Sequence, residues 1–233
     1  AMATQLIQED LTLTRRVGGN VSFSCRGTEQ CYNDDVFWYQ KRDTETFTLI
    51  LAIHRRDGTV YSGYNHTQKD DFSAVNNQNS SELQIQNVKL DHSATYYCGG
   101  YLIFGSGTKL IVSDEPVVKP VVSVYPAASR AHLEGKSSLL CLASAMFPPL
   151  VQFSWKRRKE NGPLEDLLPD EGEQLEIRES GRTASILLIN QQVNSTYKYH
   201  CEVQHEGGPV EAQTEQGNED LVRILYCHCT GYN

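Results

Sequence analysis

The sequence predicts an all-β fold built as two tandem β-sandwich domains, and three observations carry that reading. Short runs rich in β-branched and aromatic residues recur along the chain, each bounded by Gly, Asn, Asp or Ser; this is the pattern of antiparallel strands joined by turns. No stretch of ten or more residues shows the apolar spacing of an amphipathic helix, so helix is confined to a turn or two. One constellation, Cys…Trp…Tyr-x-Cys, occurs once in each half of the 233 residues.

Strands are expected over residues 12–15, 21–25, 36–40, 48–53, 81–88 and 95–99. Val21, Phe23 and Cys25 alternate with serines, and Leu83-Gln84-Ile85-Gln86 alternates in the same way, as half-buried strands do. A polar, Pro-interrupted stretch over residues 112–119 separates the halves. Pro120 and Pro126 bracket the next apolar run, which suits an edge strand because proline cannot donate to a ladder. The expected division is 4–113, 114–215 and a tail at 216–233.

Composition narrows the function. The chain is 39% apolar and 21% charged with a net charge of −8, and its longest basic run, Lys156-Arg157-Arg158-Lys159, is followed at once by Glu160, Glu165 and Asp166. Nucleic acid is therefore not expected as a partner, since phosphate binding needs an excess of cations. No run reaches the roughly 18 apolar residues that would span a bilayer. Catalytic patterns are missing as well: there is no Gly-x-Ser-x-Gly elbow, no Gly-rich phosphate loop and no His-Glu-x-x-His. The seven histidines are scattered, and the carboxylate pairs Asp34-Asp35 and Asp70-Asp71 fall in polar turns. The chain reads as a binding protein without enzyme activity, cofactor or metal.

In the first half Cys25 is followed after 13 positions by Trp38 and after 73 by Cys98; in the second, Cys141 is followed after 14 by Trp155 and after 60 by Cys201. Tyr96 and Tyr199 each lie two residues before the second cysteine. This arrangement resembles the immunoglobulin domain. The resemblance implies a disulfide between the two sheets in each half, a tryptophan packed on it and a tyrosine pinning the corner before the second cysteine. A zinc site is the alternative for these four cysteines, but zinc ligands usually come as close pairs and His200-Cys201 point to opposite faces of a strand.

Phe104-Gly105-Ser106-Gly107-Thr108 resembles the joining segment of rearranged antigen receptors, and with Trp38-Tyr39-Gln40 and the 91–98 segment it marks a V-type domain. Cys141-Leu142-Ala143, Phe147-Pro148-Pro149 and Tyr199-x-Cys201-x-Val203-x-His205-Glu206 resemble a C1-type constant domain. The tail through Cys227-His228-Cys229 is similar to the connecting peptide of T-cell-receptor chains, and Asp57-Gly58-Thr59-Val60 resembles gamma-chain V segments. Beta-chain, light-chain and adhesion-type readings stay open beside gamma. The resemblance implies the extracellular part of a plasma-membrane receptor chain, disulfide-linked to a second, delta-like chain through Cys227 or Cys229. It also implies an antigen or cell-surface ligand and separate signalling subunits. The Cys-His-Cys tail could alternatively hold a metal ion.

Site residues follow from the same resemblance. Tyr39, Lys41, Phe47, Leu49, Tyr97 and Phe104 are expected at the partner interface; Lys41 stands where the family usually has a glutamine, so the partner should present an acceptor. Loops over residues 26–35, 54–61 and 99–103 are expected to meet ligand through Tyr32, Arg55, Arg56, Tyr61, Tyr101 and Leu102, residue types that dominate interface hot spots. Asp71 and His92 occupy the positions of an ion pair with its signs exchanged, an arrangement expected to protonate His92. Cys31 has three open readings: a free thiol, a thiol capped by a small molecule, or a bridge to another loop or chain. Asn20, Asn65, Asn79 and Asn194 open N-glycosylation triplets.

Overall fold

The computed structural model describes residues 6–77, 79–126, 137–159, 161–167, 171–189 and 197–213. The chain divides into two units between Val117 and Val118. In the first, nine strands form: β1 (Thr12–Arg15), β2 (Val21–Arg26), β3 (Asp35–Lys41), β4 (Thr48–His54), β5 (Val60–Tyr61), β6 (Phe72–Asn77), β7 (Ser80–Ile85), β8 (Ala94–Gly99) and β9 (Thr108–Val112). A six-stranded sheet in the order β1-β9-β8-β3-β4-β5 faces a three-stranded sheet in the order β2-β7-β6.

The second unit contains β10 (Val121–Pro126), β11 (Ser137–Ser144), β12 (Gln152–Lys159), β13 (Leu164–Asp166), β14 (Gly172–Glu179), β15 (Arg182–Ile189), β16 (Tyr197–Gln204) and β17 (Val210–Gln213). They form two four-stranded sheets, β10-β11-β15-β14 and β13-β12-β16-β17. The Pro-bracketed run is an edge strand, as expected.

Alternation places one face of each strand inside. Val21, Phe23 and Cys25 of β2, Leu83 and Ile85 of β7, and Ala94, Tyr96 and Cys98 of β8 are buried in one core, where the Phe23 and Tyr96 rings stack at 4.3 Å. Disulfides Cys25–Cys98 and Cys141–Cys201 join the sheets of the two units. Trp38 and Trp155 are buried, and each indole N–H finds a serine: Trp38 Nε1 donates to Ser81 Oγ at 3.1 Å and Trp155 Nε1 to Ser185 Oγ at 2.9 Å. Each serine lies directly opposite the first cysteine of its unit, Ser81 beside Cys25 and Ser185 beside Cys141. A buried indole requires an acceptor, and the two halves repeat the same solution. The Tyr96 hydroxyl donates to the His92 carbonyl at 2.7 Å, and Tyr199 is buried in the second core.

Two differences from expectation have local causes. β7 stops at Ile85 because Val88 leaves the ladder and exchanges hydrogen bonds with the Gly18-Gly19 turn, at 2.8 Å and 2.9 Å. Several strands lie outside the expected spans, among them β11, β12, β15 and β17, and β5, β6, β13 and β14 have the weakest strand signal. Their sequences are short or rich in Asn, Gly and Glu, which are poor strand formers; they form because a neighbour supplies hydrogen-bond partners, as β7 does for β6.

Candidate functional site: pairing faces and the loop end

On the outward side of the six-stranded sheet, Phe37 and Tyr39 of β3, Leu49 of β4 and Tyr97 of β8 turn away from the core, and Phe47 and Phe104 join them from adjoining segments. The rings form one cluster: Phe47 lies 5.1 Å from Tyr97 and 6.5 Å from Tyr39, Phe104 is 5.9 Å from Tyr39, and Phe37 is 6.5 Å from Tyr39. Leu49 is half-buried directly opposite Tyr39. Phe47 and Phe104 remain about half exposed, so the cluster is open apolar surface. The outward side of the other sheet carries Ser22, Ser24, Ser73, Glu82 and Gln84, with Val75 as an isolated exposed apolar side chain. Apolar surface gathered on one face alone marks an interaction site. Lys41 sits at the margin of this face; its Nζ reaches only the Arg42 carbonyl, at 3.4 Å, and no carboxylate among the described residues pairs with it.

Glycines hold the aromatic rings in place. A Cβ on Gly99 would lie 2.6 Å from Phe104, and one on Gly107 2.5 Å from Tyr97. Gly107 also has φ +88°, a conformation that side chains disfavour. Behind them, the buried Gln8 donates from Nε2 to the Tyr96 carbonyl at 2.9 Å, while its Oε1 accepts from the N–H groups of Cys98, at 3.2 Å, and Gly107, at 3.1 Å. A Cβ on Gly105 would collide with this amide. The structure assigns the joining-segment glycines to Gln8 and Tyr97, which only the fold brings near.

At the loop end, the Gly100 N–H donates to the Ile103 carbonyl at 2.7 Å, leaving Tyr101 and Leu102 as a two-residue tip, 69% and 82% exposed. Tyr32 is 90% exposed and Tyr61 about half exposed. Arg55 behaves differently from expectation. Its guanidinium pairs with Asp34 at 2.5 Å and Arg56 reaches the same carboxylate at 2.6 Å. Arg55 is mostly covered, and reaching a ligand would break that ion pair. Cys31 is buried beneath the loops against the core as a free thiol, and burial pushes its pKa up, away from the reactive thiolate.

The second unit carries an outward apolar face that the sequence reading missed. Leu140 and Leu142 of β11 pair with Ile186 and Ala184 of β15, which in turn pair with Leu175 and Ile177 of β14; Leu175 and Ile177 are about half exposed, as is Tyr125 of β10, opposite Leu140. The alternation of β15, with Ile186 and Leu188 outside and Leu187 and Ile189 inside, is the signal that could have found it. His205 serves structure: Nε2 bonds the Pro148 carbonyl at 2.9 Å and Nδ1 accepts from the Gly207 N–H at 3.0 Å.

Residues 8–113 match the immunoglobulin V-set domain and residues 122–208 the immunoglobulin C1-set domain. The chain belongs to the immunoglobulin superfamily. Its tandem V-set and C1-set organisation is that of antigen receptors. Similar proteins include a T-cell receptor gamma chain V region of Mus musculus, 30% identical over 117 residues, 46% of this chain and 86% of that region. An Ig kappa chain V region of Oryctolagus cuniculus is 28% identical over 112 residues, 46% of this chain and 96% of that region. A viral T-cell receptor beta chain-like protein of Feline leukemia virus is 27% identical over 164 residues, 64% of this chain, and the match spans about half of its own length (49%).

Within this immunoglobulin V domain the exchanged pair forms: His92 Nε2 lies 3.0 Å from Asp71 Oδ2, and Lys89 Nζ lies 2.8 Å from the same carboxylate. The expected protonation of His92 does not fit the geometry. Its Nδ1 accepts from the Lys89 N–H at 3.0 Å, a role only an unprotonated nitrogen can fill. The Lys89 hydrogen bond and then that of His92 hold the Asp71 carboxyl below the usual range against the opposing effect of burial. A carboxyl with a depressed folded pKa stabilises fully above its unfolded value of about 4 and loses that contribution as pH falls through the folded value. Urea unfolding of wild type and Asp71→Asn should therefore differ most near pH 7 and converge as pH falls below the folded value; a difference constant with pH would refute the assignment.

Proposed function

We propose that the chain is the ectodomain of one chain of a heterodimeric T-cell antigen receptor, of gamma type, that binds a partner chain through its sheet faces and ligand through its V-domain loops. The aromatic face around Tyr39, Phe47, Tyr97 and Phe104 carries this reading, because an open apolar cluster on one side of a sandwich calls for a covering surface. The second unit's face around Ile186 and Leu175 offers a matching area for the partner's constant domain. Asn20, Asn65 and Asn79 are all exposed and are assigned to glycans. Lys41 calls for a carbonyl or carboxylate on a delta-like partner. Asn194, Cys227 and Cys229 lie outside the described residues; the cysteines are assigned to the interchain link and Asn194 to a fourth glycan. Tyr32, Tyr61, Tyr101 and Leu102 form the ligand surface, and signalling is assigned to separate membrane subunits.

The similarity to the murine gamma V region supports the gamma type. A beta-type chain is the second reading, favoured by the viral relative that aligns across both domains. Co-expression with delta, alpha and heavy chains, read by non-reducing electrophoresis, separates them: a covalent dimer with delta supports gamma, one with alpha supports beta, and one with heavy chain a light chain. Monomer in every combination would sink the pairing reading. With the cognate chain, Phe47→Ser combined with Tyr97→Ser should weaken association at least tenfold, about 1.4 kcal/mol, while the melting temperature of the unpaired chain changes little because both side chains are partly exposed already.

A further inference from the structure

A buried polar cluster lies at the end of the V domain away from residues 99–103, bordering the core at Phe72 and Tyr96 and apart from the aromatic rings of the pairing face. His66, between β5 and β6, is 4% exposed. Its Nδ1 accepts from the Gln68 N–H at 3.1 Å and its Nε2 faces Gln40 Oε1 at 3.2 Å. An imidazole in this setting is neutral and carries its proton on Nε2. Gln40 extends the chain of bonds, donating from Nε2 to the Tyr96 hydroxyl at 3.0 Å. Phe72 lies between the two buried histidines, its ring centre 5.4 Å from that of His66 and 5.6 Å from that of His92. From the turn between β3 and β4, Arg42 donates to Gln68 Oε1 and to the Asp91 carbonyl, both at 3.1 Å. Segment 62–71 is thus tied through His66 and Gln68 to β3 and the β3–β4 turn, whose Gln40 and Arg42 reach β8 and the turn before it, while Asp71 bonds Lys89 and His92 directly.

The charges around His66 give a proton nothing to meet. Its own segment contributes Lys69, Asp70 and Asp71; the β3–β4 turn contributes Arg42, Asp43 and Glu45; the turn before β8 contributes Lys89, Asp91 and His92. Asp71 is taken by Lys89 and His92, Glu45 by Arg42 at 3.2 Å, and Asp43 faces Lys109 at 3.6 Å. No carboxylate pairs with His66 among the described residues. Burial first, then the Arg42 guanidinium, hold its pKa below the ordinary imidazole value.

We propose that residues 62–71 form an acid-released latch, in which a proton taken up from solvent at His66 Nδ1 sets two donors, Nδ1–H and the Gln68 N–H, against each other and frees the segment from Gln40 and β8. The sign follows from linkage. A histidine whose folded pKa lies below its unfolded value stabilises fully above about pH 6.5 and loses that contribution as pH falls through the folded value. The turn that Arg42 anchors joins Lys41 to Phe47, so on the pairing reading above, release also loosens the margin of the aromatic face.

Hydrogen exchange of the unpaired chain at pH 7.5 and 5.5, corrected for intrinsic rates, tests the latch without any partner, so failure of the pairing reading would leave this result standing. Protection over residues 62–71 should fall clearly in wild type, by up to about tenfold, the most that an unfolded value of about 6.5 allows between these two pH values. It should not change in His66→Asn, which keeps an acceptor for the Gln68 N–H and cannot be protonated. Unchanged protection in wild type, or an equal fall in the variant, would overturn the proposal. An NMR titration of wild-type His66 decides the matter even if the variant fails to fold: a midpoint clearly below about 6.5 supports the latch, and one at or above it overturns it.

Discussion

Replacing Cys25 and Cys98 together by alanine is expected to lower the stability of the first unit by about 4 kcal/mol or more, enough to leave it partly unfolded at room temperature. The bridge spans 73 positions, and in the chain-entropy account a loop of that length restricts the unfolded chain by about 4 kcal/mol. Both cysteines are fully buried, so the smaller side chains also leave unfilled space that the core closes only in part. Domain stabilities are about 5–15 kcal/mol, so the substitution removes a large fraction. The sequence contains two tryptophans, Trp38 in the first unit and Trp155 in the second, and fluorescence of single-tryptophan variants reports each unit separately. The Trp38 transition should move to much lower denaturant while the Trp155 transition, whose unit keeps Cys141–Cys201, holds its place. A shift of less than about 1 kcal/mol in the first would show that sheet packing alone fixes the sandwich.

Gly107→Ala should cost about 2–4 kcal/mol and disturb the aromatic face as well. Two effects combine at this position. The backbone has φ +88°, where a side chain costs about 1–2 kcal/mol, and the new Cβ would lie 2.5 Å from the Tyr97 ring. That ring is not free to move aside because it packs against Phe47, while the Gly107 N–H is held by Gln8. Gly58→Ala provides the control: Gly58 also has positive φ, +73°, but nothing lies within 4 Å of its Cβ position. Urea unfolding should show Gly58→Ala losing only the backbone contribution. Equal losses would mean that contact with Tyr97 is negligible, and partner binding should then survive Gly107→Ala as well.

Most of the scaffold was legible because it rests on local pattern. Alternation in Val21-Ser22-Phe23-Ser24-Cys25 fixes which side of β2 is buried whatever it packs against, and the repeated Cys…Trp…Tyr-x-Cys spacing identifies the sandwich twice. Strand β6 was not legible. Asn76 and Asn77 have little intrinsic preference for extended structure, and β7 imposes it on them. The candidate site divides in the same way. Tyr39, Phe47, Tyr97 and Phe104 could be named from position in a resembling domain, but their meeting in one cluster depends on two strands and two loops folding together.

What the sequence by itself determined is the architecture, the cysteines able to bridge the sheets and the absence of catalytic patterns, since these follow from residue type and spacing along the chain. Only the tertiary structure decided which charges are available. Arg55 is claimed by Asp34 and Asp71 by Lys89 and His92, whereas Lys41 has no carboxylate partner among the described residues. It also decided that Gln8 explains Gly105 and that His66 and His92 are held as neutral acceptors of backbone N–H groups. The reason is physical: burial, hydrogen-bond partners and protonation are set by atoms far apart in sequence, and no local pattern records them.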